Sequence, residues 1–378
     1  MTEQHDSEEL DVLVVGGGVA GLSGAVTLAR ARRSVLVIDS GHPRNAAAGA
    51  AHGLLSRDGI APLELLRLGR EETVAYGGRI VPGRAVSVRR AEGGFVVRTE
   101  SGRTFRTRRL LVTTGLVDEL PPVPGLRERW GRDVLHCPYC HGWEVRDATL
   151  GVLGGGPVSV HQALLFRQWS PRVTLFLHTG DDPTEEQWER LAARGIAVVD
   201  GEVTGLVVAE DRLAGVRLAS GHQVPVEALA VAPRFAARGE LLAGLGLDTV
   251  EHPTGVGEYV ASDGSGLTEA AGVWVAGNVT DLTAGLAAAQ AAGVRAAAAI
   301  NADLVDADAE AAVAARAASA ASTAQGVFDP ASEAEVCTRI LGERRHGLES
   351  LLRPERSEPA ERPRHPERPE SSEGPAMP

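Results

Sequence analysis

Residues 11–21 read DVLVVGGGVAG, a short apolar strand that runs directly into a G-x-G-x-x-G loop. A helical pattern follows from Leu22 to Ala31, and a second apolar strand, Ser34 to Ile38, ends at Asp39. Glycines let backbone N–H groups at a helix N-terminus approach a pyrophosphate, and the carboxylate can accept a hydrogen bond from a ribose hydroxyl. The segment therefore predicts a dinucleotide-binding βαβ unit, although the motif alone does not separate FAD from NAD. Its candidate binding residues are Gly16, Gly18, Gly21 and Asp39.

A second strand–glycine loop–helix unit begins at residues 149–159, TLGVLGGGPVS. Pro157 removes a backbone N–H group from this loop, and Ser159 stands where the motif has its third glycine. The next strand, residues 172–177, leads to the sequence HTGDD at 178–182. This sequence has no arginine pair that could bind the phosphate of NADP, and its two aspartates would repel that phosphate. We interpret this unit as a relic that preserves the fold, which makes NADPH a doubtful cofactor. A working nicotinamide site is the alternative.

Two of the three cysteines lie between these units, in the sequence HCPYCHG at residues 136–142. Two cysteines on one helical turn can form a short disulfide and so store and release two electrons. Pro138 suits a first helical position, and a thiolate at a helix start is stabilised by backbone N–H groups. His136 and His141 each place a proton carrier that titrates near neutral pH beside the sulfurs. The pattern predicts a redox dithiol. Its candidate catalytic residues are Cys137, Cys140 and His141.

Three other interpretations of the cysteine pair stay open. CPYCH matches the attachment pattern of c-type haem, but residues 1–10 lack the apolar core of an export signal, and the methionines, Met1 and Met377, offer no axial ligand within the fold. A zinc site would require a second pair of ligands, and the third cysteine, Cys337, stands alone, where a free surface thiol is expected. Two buried structural thiols are the third alternative. We expect no metal ligands.

Composition excludes several classes of function. The 378 residues include 38 Lys and Arg against 50 Asp and Glu, a net charge of −12, which argues against nucleic-acid binding and anionic membranes. The most apolar long run, residues 284–300, is interrupted by Gln290 and Arg295, so we expect no membrane span. Three cysteines and no targeting segment fit a reducing cytoplasm, where a CxxC pair is more often catalytic than structural.

The rest of the chain predicts α/β structure followed by a tail. Prolines at positions 121, 122 and 124 mark a crossover between domains. Residues 304–378 are alanine-rich and then rich in proline and charge, which predicts a linker and a disordered tail. The other predicted elements are a helix at residues 62–76, strands at 79–81, 85–89, 95–99, 104–107 and 110–114, short strands within 196–232, a strand at 272–276 and a small-residue helix at 284–303.

The order of these motifs resembles that of the low-molecular-weight thioredoxin reductase family of flavoproteins, over residues 10–303. The resemblance rests on the first glycine loop, TTG at residues 113–115, the CxxC pair just before a second glycine loop, and GVWVAGN at 272–278. It implies an α/β fold of two Rossmann-like domains, with the FAD domain discontinuous in sequence, and a homodimer. The implied divisions are residues 1–117 and 245–303 for the FAD domain, 118–244 for the second domain with the CxxC pair, and 304–378 for the linker and tail.

One branch of that family, the dithiol oxidases of natural-product pathways such as those of holomycin and gliotoxin, is similar in three further features. It has CxxCH where reductases usually have CxxCD, and this chain likewise has a histidine, His141, after the second cysteine. It carries an R-N … H-G segment near the flavin, matched by Arg44-Asn45 and His52-Gly53, and it lacks a basic motif for the NADPH phosphate. The flavin-site positions that the resemblance implies are Arg44, Asn45, His52, Thr114, Gly115, Gly277 and Asn278.

The resemblance also assigns roles around the flavin. Cys140 would lie against the flavin and Cys137 would exchange with substrate, while Asn278 stands where the family usually has an aspartate on the ribityl chain. We therefore expect an FAD-dependent thiol–disulfide oxidoreductase that oxidises a small-molecule dithiol, with O₂ as acceptor and His141 as general base. The alternatives are an NAD(P)H-dependent reductase of thioredoxin or another protein disulfide, and a disulfide reductase that a ferredoxin-like protein reduces. A redox sensor without turnover is an alternative from another class.

Overall fold

The computed structural model describes residues 5–155, 158–322, 335–336 and 338–340. Contacts divide the chain into two units, Met1–Ala307 and Asp308–Pro378. The described residues of the second unit are helical, at 308–322, 335–336 and 338–340. The sequence predictions for Pro157, Cys337 and most of the tail lie outside the described residues.

The first part of the chain alternates strands and helices and then adds an antiparallel edge. Its elements are β1 (His5–Val15), α1 (Val19–Arg30), β2 (Val35–Asp39), α2 (Pro62–Ala75), β3 (Arg79–Pro82), β4 (Ala85–Ala91), β5 (Gly94–Thr99), β6 (Thr104–Val112) and β7 (Leu116–Glu119). The strands predicted at residues 104–107 and 110–114 are one continuous strand, β6, because β1 pairs with both parts of it.

The middle part carries the cysteine pair and the second glycine loop. Its elements are α3 (Leu126–Arg129), β8 (Val134–Leu135), α4 (Pro138–His141), β9 (Leu150–Leu153), α5 (Ser159–Phe166), β10 (Val173–Phe176), α6 (Glu185–Ala193), β11 (Ala197–Val199), β12 (Val203–Ala209), β13 (Arg212–Leu218), β14 (Gln223–Val224), β15 (Ala228–Ala230) and β16 (Arg234–Ala237).

The last part returns to the first sheet and ends in a long helix. Its elements are a 3₁₀ helix (Glu240–Leu245), β17 (Thr249–Glu251), β18 (Gly257–Val260), β19 (Val273–Val275), a second 3₁₀ helix (Gly277–Val279) and α7 (Leu286–Ser322). α7 continues past the predicted end at residue 303, because alanine, which fills the stretch predicted as a linker, is the strongest helix former.

The first module, as we call it, is built on a seven-stranded sheet in the order β3-β2-β1-β6-β5-β4, with β19 also paired to β6. β1, β2, β3, β6 and β19 are parallel, and β4 and β5 form an antiparallel edge. β1 is buried on both faces: Leu13 and Val15 belong to one apolar cluster, and Val12 and Val14 to the other. β19 joins from late in the chain, so this module is discontinuous in sequence, as predicted.

The second module is built on a five-stranded parallel sheet in the order β11-β10-β9-β15-β8. Apolar clusters cover both of its faces: Val152 and Leu175 lie in one, and Leu153 and Phe176 in the other. β12, β13 and β14 form a separate antiparallel sheet. The parallel strands of these two sheets, with helices between them, confirm the predicted Rossmann-like α/β fold, while the domain limits at residues 117, 244 and 303 stay predictions.

Two chain segments connect the modules. β7 leads from the first module into the second and β16 leads back, and these strands pair antiparallel in a four-stranded sheet of order β17-β18-β16-β7. The carboxyl ends of parallel strands are where ligands bind in such folds. The carboxyl edges of the two parallel sheets are therefore the places where the fold favours a ligand site.

Candidate functional site

The first glycine loop connects the end of β1 to the start of α1. Gly16 has a φ of 108°, and its N–H donates to the Ile38 carbonyl at 2.8 Å. A Cβ atom on Gly17 would lie 2.6 Å from the carboxyl carbon of Asp39, so a larger residue would force this carboxylate to move. α1 begins after Gly18 with no side-chain cap and no acid in its first turn. The loop thus presents backbone N–H groups at a helix N-terminus, an arrangement suited to a phosphate.

Gly21, the third glycine of the motif, allows the helix to approach the strand closely. A Cβ atom there would lie 1.9 Å from the Gly16 carbonyl oxygen. The hydroxyl of Thr113, just beyond β6, donates to the carbonyls of Val15 at 3.1 Å and Gly16 at 2.8 Å. The end of β6 therefore fixes the loop from the side, which the glycine pattern alone did not reveal.

The other predicted positions of the first module meet at the same edge. Thr114 follows β6, and its hydroxyl donates to the carbonyl of Arg238, just after β16, at 2.7 Å. Gly115 has a φ of 71° and Gly277, just after β19, a φ of 76°. Because β1, β6 and β19 are parallel neighbours, the structure brings the glycine loop, Thr114-Gly115 and Gly277-Asn278 to one carboxyl edge.

Asp39, at the end of β2, has two partners in this edge. Its Oδ1 accepts a hydrogen bond from Gly17 N–H at 3.2 Å, and its Oδ2 is 2.6 Å from an Nη atom of Arg70 in α2. The Asp39 side chain is mostly buried. Arg70 therefore offsets the charge of the carboxylate that the sequence predicts as the ribose acceptor.

Arg44, Asn45 and Asn278 were predicted near the flavin. The Arg44 guanidinium binds the Asp118 carboxylate of β7 and lies 3.4 Å from Asn278 Oδ1. The Asn278 amide group donates to the carbonyls of residues 281 and 284, both at 3.0 Å. Asn45 accepts through its backbone carbonyl from Ala48 N–H at 3.1 Å. Arg44 and Asn278 are thus in contact with each other across 234 positions of sequence.

The cysteine pair lies directly after the carboxyl end of β8. Cys137 and Cys140 form a disulfide with their Cα atoms 5.2 Å apart. Cys137 is the residue before α4 and Pro138 its first residue, as the sequence predicts. The N–H groups of Cys140 and His141 donate to the Cys137 carbonyl at 3.2 and 3.1 Å, which holds the turn closed. Both cysteines are half-buried.

His136 is held by the second module on one side and by a connecting strand on the other. Its Nδ1 atom is 3.1 Å from the Val231 carbonyl, just after β15, and its ring meets the Phe235 ring edge-on with centroids 5.2 Å apart. Burial lowers the pKa of His136, while the Val231 carbonyl raises it and the Arg44 charge lowers it further. The Gln162 amide donates to the His136 carbonyl at 2.9 Å. His136 therefore has structural partners, in contrast to His141.

Both ring nitrogens of His141 are buried and have no hydrogen-bond partner among the described residues. Burial lowers the pKa of His141, while the Glu144 carboxylate raises it and the His52 ring lowers it. A buried imidazole without a partner is costly unless a reacting group supplies one. The neutral ring beside a disulfide is suited to accept a proton from a thiol.

His52 bridges the first module and the cysteine segment. Its Nδ1 atom is 3.2 Å from Asp58 Oδ2, and its Nε2 atom is 3.3 Å from Glu144 Oε1. Asp58 also accepts from Gly53 N–H at 3.1 Å. The structure therefore places His52 against the residues that follow the CxxC pair.

The carboxyl edge of the second module holds a cavity of about 400 Å³. His178, which lines it, accepts a hydrogen bond on Nδ1 from Val203 N–H at 3.0 Å, and burial lowers its pKa. Glu202 also lines the cavity, and none of the described lining residues is Lys or Arg. The rest of the lining is Pro121, Pro122, Val123, Pro124, Leu153, Gly154, Gly155, Thr179, Val203, Thr204, Val231 and Ala232.

Residues 10–297 match the sequence profile of the pyridine nucleotide-disulphide oxidoreductase family. The chain belongs to this family. It is therefore an oxidoreductase of the thioredoxin reductase-like type, as the sequence resemblance implies.

Individual relatives agree with this assignment. Thioredoxin reductase sirT of Leptosphaeria maculans is 29% identical over 319 residues, 79% of this chain and 95% of that protein. Thioredoxin reductase tcpT of Claviceps purpurea is 39% identical over 179 residues, 45% of this chain; the matched segment spans only 56% of that relative's length. The solved structure of HlmI has a TM-score of 0.79 and 46% identity, and covers 84% of this chain and 99% of that one. The resemblance stated from the sequence is confirmed.

The pyridine nucleotide-disulphide oxidoreductase family of thioredoxin reductase type binds FAD, which confirms the cofactor expected from the sequence. The first module fits such a dinucleotide: α1 begins without a side-chain cap, and a Cβ atom on Gly18 would meet no heavy atom within 4 Å. Within the described ranges, no group of three or more His, Cys, Asp or Glu has an arrangement that could hold a metal ion. Among the described helices, none combines the length and apolar character that crossing a bilayer requires.

The sequence analysis did not name four charged residues that the structure places at the candidate site: Arg70, Asp118, Glu144 and Glu202. Each is a charged residue without a motif of its own; the first three meet a predicted site residue that is far away in sequence, and Glu202 lines the cavity. Glu144 had the one available signal, because it is a charge four residues after Cys140 on the same short segment.

Proposed function

We propose that this chain is a dithiol oxidase, an FAD-dependent enzyme that converts a small-molecule dithiol to a disulfide with O₂ as final acceptor. The observation that carries the proposal is the lining of the cavity in the second module, which includes Glu202 and, among its described residues, neither Lys nor Arg. Losing a close charge pair to a phosphate costs about 2–5 kcal/mol, or roughly thirty-fold to several thousand-fold in affinity. This lining disfavours NADPH as the electron donor and leaves the cysteine pair as the entry point for electrons.

The first step is thiol–disulfide exchange at the CxxC pair. A substrate thiolate attacks Cys137 Sγ, the Cys137–Cys140 bond breaks, and Cys140 leaves as the thiolate. The second substrate thiolate attacks the substrate sulfur of the mixed disulfide, so that Cys137 leaves and the substrate disulfide forms. Two electrons have then moved from the substrate to the cysteine pair.

The proton of the attacking thiol needs an acceptor, because a thiol of pKa about 8.5 is only about 3% thiolate at pH 7. His141 is suited to this role, since its ring is buried, unpartnered among the described residues and has a lowered pKa that keeps it neutral. The proton then passes to solvent. The overall reaction joins one dithiol and one O₂ to give one disulfide and one H₂O₂.

The flavin site would be formed by the first module. The N–H groups around Gly16–Gly18 and at the start of α1 would bind the pyrophosphate, and Asp39, held by Arg70, would accept from the ribose. Bound FAD supplies the two-electron acceptor that restores the cysteine disulfide, and O₂ takes up the electrons. A homodimer and a cytoplasmic location stay predictions from the sequence.

An NAD(P)H-dependent disulfide reductase is the second candidate, because relatives such as sirT and tcpT bear the name thioredoxin reductase. An anaerobic titration of the FAD-loaded protein separates the two. We expect a small dithiol such as dithiothreitol to bleach the flavin absorbance fully, and an equal amount of NADPH to leave it unchanged. Admitting air should then restore the flavin and yield one H₂O₂ per dithiol consumed. Rapid bleaching by NADPH would contradict the proposal and favour the reductase.

A further inference from the structure

The loop that carries His52 is a closed and ordered part of the first module. Ala51 is buried; its N–H donates to the Ile60 carbonyl at 2.8 Å, and its carbonyl accepts from Gly59 N–H at 2.9 Å. Asp58 accepts from Gly53 N–H at 3.1 Å. The backbone of residues 51–60 therefore fixes the position from which the His52 ring extends.

The His52 ring lies between two carboxylates that belong to different modules. Asp58 is on its own loop, and Glu144 follows the CxxC pair of the second module. The His52 Nδ1 atom is hydrogen-bonded to Asp58, whereas its Nε2 atom and Glu144 Oε1 are in polar contact at 3.3 Å. The His52 side chain is 20% exposed and that of Glu144 41% exposed, so solvent reaches the contact.

Glu144 also acts on His141, three positions earlier in the segment. Its charge raises the pKa of His141 against the lowering effect of burial. Asp58 contacts His52, and both His52 and Glu144 act on His141. Arg146, two positions after Glu144, instead donates to the Trp143 carbonyl at 2.8 Å and lies 4.3 Å from the centre of the Trp143 ring. A negative charge beside a buried imidazole stabilises the imidazolium that forms when the ring takes a proton.

We propose that Glu144 is a positioning residue of the redox segment: through His52 it holds residues 137–144 against the first module, and it keeps a negative charge beside His141. This inference deepens the proposed function and rests on it. The proton released by the thiol enters at His141, and the partly exposed pair of His52 and Glu144 acts on the charge of that ring. Glu144 touches neither the sulfurs nor the cofactor in this account.

Two variants separate the charge from the contact. Glu144→Gln keeps the length of the side chain and a polar oxygen that can contact His52 but removes the charge, so the rising limb of the pH profile of dithiol-dependent bleaching should move to lower pH. Glu144→Ala also removes the contact, so bleaching should slow by roughly tenfold to a hundredfold, as a misplaced reacting group does. Hydrogen exchange of residues 137–144 in the FAD-loaded protein should become faster in Glu144→Ala and stay unchanged in Glu144→Gln.

A double-mutant cycle and a control complete the test. If the contact of Glu144 acts through His52, adding His52→Ala to Glu144→Ala should slow bleaching no further than Glu144→Ala does alone. Glu186→Gln, an exposed carboxylate on α6, should leave both readouts at wild-type values. Unchanged pH profiles and exchange rates in both Glu144 variants would overturn the inference. Failure of dithiols to bleach the wild-type flavin would instead overturn the proposed function, and the exchange measurement would still test the contact.

Discussion

Arg44 and Asp118, 74 positions apart in sequence, form a two-point ion pair: Arg44 Nε donates to Asp118 Oδ2 at 2.8 Å, and an Nη atom donates to Oδ1 at 2.6 Å. Asp118 lies in β7, the strand that leads into the second module, and its side chain is only 8% exposed. The Arg44 guanidinium also lies 5.2 Å from the ring centre of Phe235 in β16, the strand that leads back. One arginine of the first module therefore contacts both connections between the modules.

Replacing Arg44 by Gln should lower the free energy of unfolding by about 2 kcal/mol, because a nearly buried carboxylate loses its charged donors. Urea denaturation followed by circular dichroism measures the change. Arg67→Gln is the matched control, since Arg67 pairs with Glu64 and Glu71 on the exposed face of α2 and should cause no measurable change. Equal effects of the two replacements would show that the pair with Asp118 contributes no more than a surface ion pair.

Replacing Gly18 by Ala should weaken FAD binding without harming the fold. Gly18 has φ −75° and ψ −177°, which alanine adopts freely, and an added Cβ atom meets no heavy atom of the chain within 4 Å. The methyl group would instead meet the pyrophosphate, so we expect affinity to fall by roughly tenfold or more, a loss of about 1.4 kcal/mol. Fluorescence titration of the FAD-free protein measures the affinity, and thermal unfolding measures stability.

Gly293→Ala provides the contrast, because its Cβ atom would lie 2.0 Å from the Ala20 carbonyl oxygen between α7 and α1. This variant should lower the stability of the FAD-free protein itself. Wild-type FAD affinity in Gly18→Ala would mean that the pyrophosphate does not approach this loop.

Replacing either cysteine of the disulfide by Ser should abolish bleaching of the flavin by a dithiol, since two-electron exchange needs both Cys137 and Cys140. The flavin itself should remain bound, as its absorbance before titration will show. Cys337→Ser is the control and should behave as wild type. Dithiol-dependent bleaching that survives in Cys140→Ser would refute the assignment of this sulfur as the donor to the flavin.

Stability should fall as the pH drops from about 6.5 towards 5. Burial lowers the pKa of His136 and of His141 in the folded state, so the unfolded chain binds protons first as the pH falls. The contribution of these two neutral histidines to the free energy of unfolding is complete above about pH 6.5, which is the pKa of histidine in the unfolded chain. It is lost as the pH falls through the lower pKa values of the folded state. Urea midpoints measured across this range check the expectation.

The variant His136→Gln should make these midpoints depend less on pH, whereas His222→Gln, on an exposed turn, should leave the dependence unchanged. Carboxylates with lowered pKa values, such as Asp133, lose their contribution to stability only at lower pH. They therefore do not affect the urea midpoints in this pH range. A pH dependence that is the same in all three proteins would contradict the role of burial at His136.

The local part of the fold follows from short-range sequence. Strand, glycine loop and helix are adjacent in residues 11–30, and β-forming residues and turn glycines mark the strands, so the βαβ units and the cysteine turn were predicted correctly. The predicted gap in β6 was wrong, because β1 pairs with β6 on both sides of Arg108 and Arg109. The side chains of these two arginines do not interrupt the hydrogen bonds between the two backbones. The length of α7 was underestimated because low complexity was taken to mean a linker.

The sequence by itself determined the local motifs, because each depends on residues that are close along the chain. These motifs are two glycine loops, an acid at the end of β2, and a CxxC pair followed by histidine. Only the tertiary structure decided which charges meet. Arg70 with Asp39, Arg44 with Asp118 and His52 with Glu144 join segments from different elements, and such pairs exist only after the sheets and connections have brought those segments together. Ionic contacts of this kind depend on distance in space, which single-sequence patterns do not contain.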